Sequence, residues 1–96
     1  MAEDFQNTDG EQGFVRLANG DKVPSDSLAW RDECATRWRH VMTLRSISER
    51  VNRQSYIAAV AHREGSEAGK RLTEAYAQDF ETRKAAEAAA RAQVAP

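Results

Sequence analysis

The stretch Ser25–Arg45, SDSLAWRDECATRWRHVMTLR, decides the fold. It opens on Ser25, Asp26 and Ser27, three good N-caps whose side-chain oxygens can accept from the free amides of a first helical turn. Behind them Trp30, Cys34, Trp38, Val41 and Met42 recur at spacings of three and four, with Leu28 and Leu44 near the ends. Asp32 and Glu33 sit near the front, where a helix dipole favours carboxylates. Arg31, Arg37, Arg39 and Arg45 fall mostly outside the apolar stripe. The pattern predicts an amphipathic helix over about 27–43. Its stripe carries both tryptophans and the only cysteine, and it is expected to be the core. On that expectation Trp38→Ala costs about 3–5 kcal/mol.

Upstream, Phe14–Val23 is the one β-like stretch. FVRL alternates, and Asn19-Gly20 is a strong hairpin signal, because a two-residue type I′ turn needs positive φ at both central positions. Asp21–Val23 is the expected return strand, and Pro24 stops it. A lone hairpin is marginal in water, so it must lie on the helices through Val15 or Leu17. Residues 1–13 are acidic and polar and read as a disordered leader.

Downstream, Ser46-Ile47-Ser48-Glu49 has the spacing of a capping box and predicts a second helix over about 47–64. Ile47, Val51, Ile57, Ala58 and Ala61 give one face, widened by Tyr56 and Val60. Gly65 is expected to end it in a left-handed conformation, and Ser66 to cap the next helix. That third helix, from about 67, carries Ala68, Leu72, Ala75, Tyr76 and Phe80 in one stripe, broken by Asp79. Past Phe80 the large apolar residues end, and 82–92 reads as a projecting or fraying helical extension. The predicted fold is therefore mainly α: a three-helix domain preceded by a small β-hairpin or extended arm, with a helical C-terminal extension. The divisions are 1–13 for the leader, 14–81 for the domain and 82–96 for the Ala-rich tail.

Ninety-six residues suffice for one small domain, whose net stability is limited to about 3–5 kcal/mol. The net charge of −1 is unevenly spread. Residues 1–26 hold six acids and two bases (−4), 27–71 nine bases and five acids (+4), and 72–96 four acids and three bases (−1). A basic middle is either the solvated face of Arg-rich helices or a surface for an acidic partner or a nucleic-acid backbone. A single cysteine allows no intrachain disulfide and suits a reducing, cytoplasmic location. No run approaches the ~20 apolar residues of a membrane span, and the N-terminus lacks the apolar run of a secretory signal.

Each candidate for chemistry has a structural explanation. Gly65–Arg71, GSEAGKR, looks like a phosphate loop but has three residues between its glycines, Arg71 after Lys70, and a helix before it instead of a strand. Cys34 lies on the apolar stripe and reads as a buried structural thiol, with His40 on another part of the helix surface. His40 and His62, with that one cysteine, fall short of a zinc ligand set and read as surface residues near helix C-termini. Adjacent Asp32 and Glu33 diverge on a helix and form no acid–base pair. The expectation is no enzyme, no metal and no cofactor. Basic residues remain as partner-binding candidates: Arg37 and Arg39 on the first helix, Arg45, Arg50 and Arg53 around the first turn, Arg63, Lys70 and Arg71 around the second. A helix-turn-helix reading would use Gly65 as the turn and the helix from Glu67 for recognition, but Glu67, Glu74 and Asp79 would repel phosphate.

LANGDKVPSDSLAWRDEC, followed by an Arg-rich helix and SERVNRQSYIAAVAHREG, resembles a family of small bacteriophage and prophage proteins with no established activity. The matching positions are Asn19, Gly20, Ser25, Ser27, Trp30, Arg31, Cys34, Arg37, Arg50, Tyr56, Arg63 and Gly65, within Leu17–Phe80. Glu64, inserted between Arg63 and Gly65, and the second ring at Trp38 depart from the pattern. The resemblance implies a mobile-element origin and no particular chemistry. Small phage proteins without a catalytic site often bind a larger host or phage protein, and inhibitors of bacterial defence complexes are one such class. The expected function is stoichiometric protein–protein binding by a monomer or homodimer. The alternative is a nucleic-acid-binding accessory or regulatory factor using its basic helical face.

Overall fold

The computed structural model describes residues 13–94, and the leader expected over 1–13 lies almost wholly outside them. Strands β1 (Phe14–Arg16) and β2 (Lys22–Pro24) precede helices α1 (Leu28–Arg45), α2 (Arg50–Glu64) and α3 (Ser66–Val94). The fold is three helices preceded by a two-stranded antiparallel hairpin, as the periodicities require. Phe14 pairs with Pro24, Val15 with Val23 and Arg16 with Lys22. Pro24 thus closes the strand from within it, at an end where its missing N–H costs nothing. The turn is not the expected two-residue connection. The Gly20 amide donates to the Leu17 carbonyl at 2.9 Å, and the Leu17 amide donates to Asp21 at 2.7 Å. Ala18, Asn19 and Gly20 therefore form a three-residue loop, and Gly20 supplies the positive φ of 99°.

Ser27 caps α1, its hydroxyl accepting from the Trp30 amide at 3.2 Å. The helix runs to Arg45, and Ser46 closes it by donating from Oγ to the Thr43 carbonyl at 2.6 Å. The expected capping box over Ser46–Glu49 does not form. The second helix starts at Arg50 with Glu49 as an N-cap that makes no side-chain capping bond. The carboxylate of Glu49 instead accepts from Asn52 Nδ2 at 2.9 Å. Gly65 ends α2 at φ 105°, ψ 155°, a positive-φ extended conformation instead of the left-handed helical one. Its carbonyl already accepts from the Gly69 amide, so Gly65 serves both helices and Ser66 is the first residue of α3.

The core is small. Val41 and Leu44 from α1, Val60 from α2 and Leu72 from α3 are each at most 1% exposed, with Ile47, Tyr56, Ile57, Ala75 and Tyr76 packed against them. Of the stripe expected on α1, only Val41 and Leu44 enter this core. Trp38 is 50% exposed and Met42 45%, Leu28 and Cys34 are exposed, and Trp30 is half-buried. Val51 of α2 and Phe80 of α3 also lie largely in solvent.

A Cβ built on Gly69 would lie 2.7 Å from the Ala61 Cβ, so α2 and α3 approach closely beside the Gly65 turn. Toward these helices α1 presents Glu33, Arg37, His40, Val41 and Leu44, a face whose polar members all find partners. Beyond Phe80, α3 continues unbroken to Val94 with every side chain from Glu81 to Gln93 exposed.

Candidate functional site

Two regions of the surface have features that packing alone does not require: an exposed row on α1 and a cavity beneath the hairpin tip.

The row follows from helical arithmetic. Residues four apart lie one above another on a helix, and residues seven apart share a face. Trp30, Cys34, Trp38 and Met42 are four apart, while Arg31, Trp38 and Arg45 are seven apart. The row is therefore apolar with arginines interleaved, and Trp38 stands at the intersection. The Arg45 guanidinium lies 5.2 Å from the Trp38 ring centre, and that of Arg37 lies 5.8 Å from Trp30. Such stacks hold the rings in place and leave their other faces to solvent.

Many of the basic candidates are tied to internal partners. Arg45 forms a bidentate pair with Asp79, at 2.6 and 2.9 Å, and Arg83 shares that carboxylate at 2.8 Å. The Arg45 hydrogen bond, and then that of Arg83, hold the Asp79 carboxyl down at about 2. Arg71 bridges Glu67 at 2.9 Å and Glu33 at 2.7 Å, and the Glu67 bond contributes most to raising the guanidinium above its ordinary range. Arg37 joins the same Glu33 oxygen at 2.9 Å. Arg53 donates to the carbonyls of Ile47 and Ser48 at 2.8 and 2.9 Å, satisfying the turn between α1 and α2, and stacks on Tyr76. Arg39 donates only to the nearby Thr36 hydroxyl, at 3.0 Å. Arg50, Arg63 and Lys70 are exposed and make no hydrogen bond or ion pair among the described residues. Of the eight candidates, Arg37, Arg45, Arg53 and Arg71 are tied to internal partners, and Arg39, Arg50, Arg63 and Lys70 face solvent from three different helices.

His40 is a correction to its expected surface position. Its side chain is 14% exposed. Nε2 lies 3.0 Å from a Glu64 oxygen and Nδ1 lies 2.7 Å from the Tyr56 hydroxyl. A carboxylate can only accept, so Nε2 carries the proton. In the neutral ring Nδ1 then accepts from Tyr56. This chain of bonds joins α1 to the middle and the C-terminal end of α2. His62, by contrast, is exposed.

The cavity lies between the hairpin tip and the three helices and encloses about 280 Å3. Leu17, Ala18 and Asn19 border it on the hairpin side, and Val60 and Leu72 reach it from the core. Glu33 ties the hairpin down beside it, accepting from the Ala18 amide at 2.8 Å. Among the described residues no three His, Cys, Asp or Glu side chains converge as metal ligands, and no helix is long and apolar enough to cross a membrane.

The exposed Trp38–Met42 row and the cavity were both missed in the sequence. The row was hidden because its residues were assigned to the core. The alanines at 29 and 68 were the signal for the cavity, since small side chains at facing positions leave space. No family model, curated protein or solved structure matches the chain.

Proposed function

We propose that the protein acts by stoichiometric binding to a larger protein, through the exposed row of α1. One observation carries this reading: Trp38 is 50% exposed and Met42 45%, while only four large side chains among the described residues are fully buried. Tryptophan, methionine and arginine are enriched in protein interfaces, and a ring flanked by guanidinium groups has the composition of a binding hot spot. Arg31 and Arg39 border the row and make no ion pair among the described residues, so the partner presents an apolar groove with an acidic rim. A second copy of α1 would set arginine against arginine and is disfavoured. The resemblance to small phage and prophage proteins adds a setting: an accessory protein that docks on a host or phage complex, with inhibition of a host defence complex as one form of that action.

The alternative is a nucleic-acid-binding factor, supported by the solvent-facing Arg39, Arg50, Arg63 and Lys70. The four cations are spread over three helices, which favours this reading less than a single patch would.

The test compares the tagged protein with Trp38→Glu in capture of a partner at fixed stoichiometry. The variant should keep the circular dichroism spectrum of the parent and lose the partner. Retained capture removes α1 as the docking face. A gel shift at low salt that weakens steeply as salt rises, and whose slope falls with Arg50→Ala and Arg63→Ala, establishes the nucleic-acid reading instead.

A further inference from the structure

The exposed side of α1 combines apolar surface with positive charge. Leu28 is 71% exposed, Trp38 50% and Met42 45%. Arg31 and Arg39 stand among them, exposed and without an ion pair among the described residues. The two acids of the helix are turned elsewhere: Glu33 accepts from the Ala18 amide and from Arg71, and Asp32 borders the cavity under the hairpin. A segment that covers such a face needs carboxylates spaced along it and an apolar side chain between them.

The chain itself supplies one. Residues 1–12, MAEDFQNTDGEQ, hold four acids, Glu3, Asp4, Asp9 and Glu11, with no lysine, arginine or histidine. Phe5 is their single aromatic residue. These residues lie outside the described ones, but the point where they join the fold does not. The Gly13 carbonyl accepts from the Ser25 amide at 2.7 Å, and Ser25 lies two residues before the Ser27 cap of α1. The segment therefore departs from the N-terminal end of the row. Along α1 the rise from Leu28 is about 15 Å to Trp38 and about 21 Å to Met42. Eight residues of extended chain, from Gly13 back to Phe5, reach about 26 Å. Phe5 is thus within reach of Trp38 and Met42, Asp9 of Arg31, and Asp4 of Arg39. A tether this short holds the segment at a millimolar effective concentration, enough for a contact made of one ring and a few exposed charge pairs.

We propose that residues 1–12 lie along the exposed row of α1, with Phe5 against Trp38 and Met42 and the carboxylates of Asp4 and Asp9 toward Arg39 and Arg31. The segment has the same chemistry as the partner inferred for that row, an apolar group with an acidic border, and competes with it. The competition rests on the row being a docking face; the intramolecular contact does not.

The full-length 15N-labelled protein is compared with Asp4→Asn/Phe5→Ser/Asp9→Asn at low salt, following the Trp38 indole and the amides of Arg31, Arg39 and Met42. Loss of the contact should move these signals and leave those of Val51 and Phe80, exposed apolar residues on the other helices, in place. In the parent the same signals should move toward the variant's positions as salt rises, independently of protein concentration. A synthetic peptide of sequence MAEDFQNTDGEQ then serves as the probe of the row. It should give saturating shifts at the Trp38 indole of the variant, and bind the parent about two- to tenfold more weakly, because the row is already covered for part of the time. Identical signals in the two proteins overturn the proposal. So do differences confined to Phe14 and Lys22, which put the segment on the hairpin, and shifts that grow with concentration, which put it on a second copy. Equal affinity of the peptide for parent and variant removes the competition. No protein partner enters these measurements, so failure here and failure of the docking face are read separately.

Discussion

Trp38 shows what periodicity can and cannot decide. Spacings of three and four identify a stripe, and α1 has two that share Val41 and Leu44: one runs through Trp30, Cys34, Trp38 and Met42, the other through Glu33 and Arg37. Hydrophobicity favours the first. The molecule buries the second, because each of its charged members meets a complementary group on a neighbouring helix or on α1 itself. Burial of a charge is tolerated when it is paired and hydrogen-bonded. Nothing within α1 announces that Arg71 will arrive beside Glu33, thirty-eight residues later. The consequence for Trp38 is measurable. With half the ring in solvent and Arg45 stacked on it, Trp38→Ala should cost about 1 kcal/mol or less, the scale of a surface substitution plus one cation–π contact. Urea unfolding will read this directly, and a loss of 3 kcal/mol or more would return the ring to the core.

The elements were more legible than their packing. Ser27 as N-cap, Gly65 as terminator and the Asn19-Gly20 hairpin each depend on chemistry within four residues, and each lies where its residue type demands. The capping box does not form because α2 begins only at Arg50, with Glu49 in the cap position and not in the first turn. Gly69 was least legible: in sequence it belonged to an unconvincing phosphate loop, while in the fold it lets α3 approach Ala61. Gly69→Ala gains helix propensity of about 1 kcal/mol. It also places a methyl group 2.7 Å from the Ala61 Cβ, and overpacking of this kind costs about 1–3 kcal/mol. The net change should be a lower unfolding midpoint. Adding Ala61→Gly should recover part of the loss in a double-mutant cycle, and a cycle with no coupling would show that the helices do not meet there.

At the scale of the whole molecule, four fully buried side chains form a slender core, and polar links between helices take a larger share of holding α1 in place. The Arg45–Asp79 pair fastens the C-terminal end of α1 to α3. Asp79 titrates at about 2 in the folded chain against an ordinary 3.8. A carboxylate held below its unfolded value stabilises the fold fully above the unfolded pKa, and that contribution declines as pH falls toward the folded one. Stability should therefore drop between about pH 4 and about pH 2, and Asp79→Asn should flatten the slope in that window while lowering stability at neutral pH. Urea midpoints collected across the range will show it; parallel slopes for the two proteins would remove Asp79 as the cause.

The extension of α3 past the bundle also governs how the molecule tumbles. Twenty-nine residues of helix span about 43 Å. The radius of gyration of 17.2 Å exceeds the roughly 12.5 Å of a compact chain of this length. Rotational diffusion is consequently anisotropic, faster about the long axis than end over end. Amide vectors lie nearly parallel to a helix axis, so those of α3 sample mainly the slow motion. The transverse relaxation of α3 is therefore faster than that of the hairpin, and the long helix acts as a hydrodynamic reference direction against which reorientation of α1 on binding can be measured.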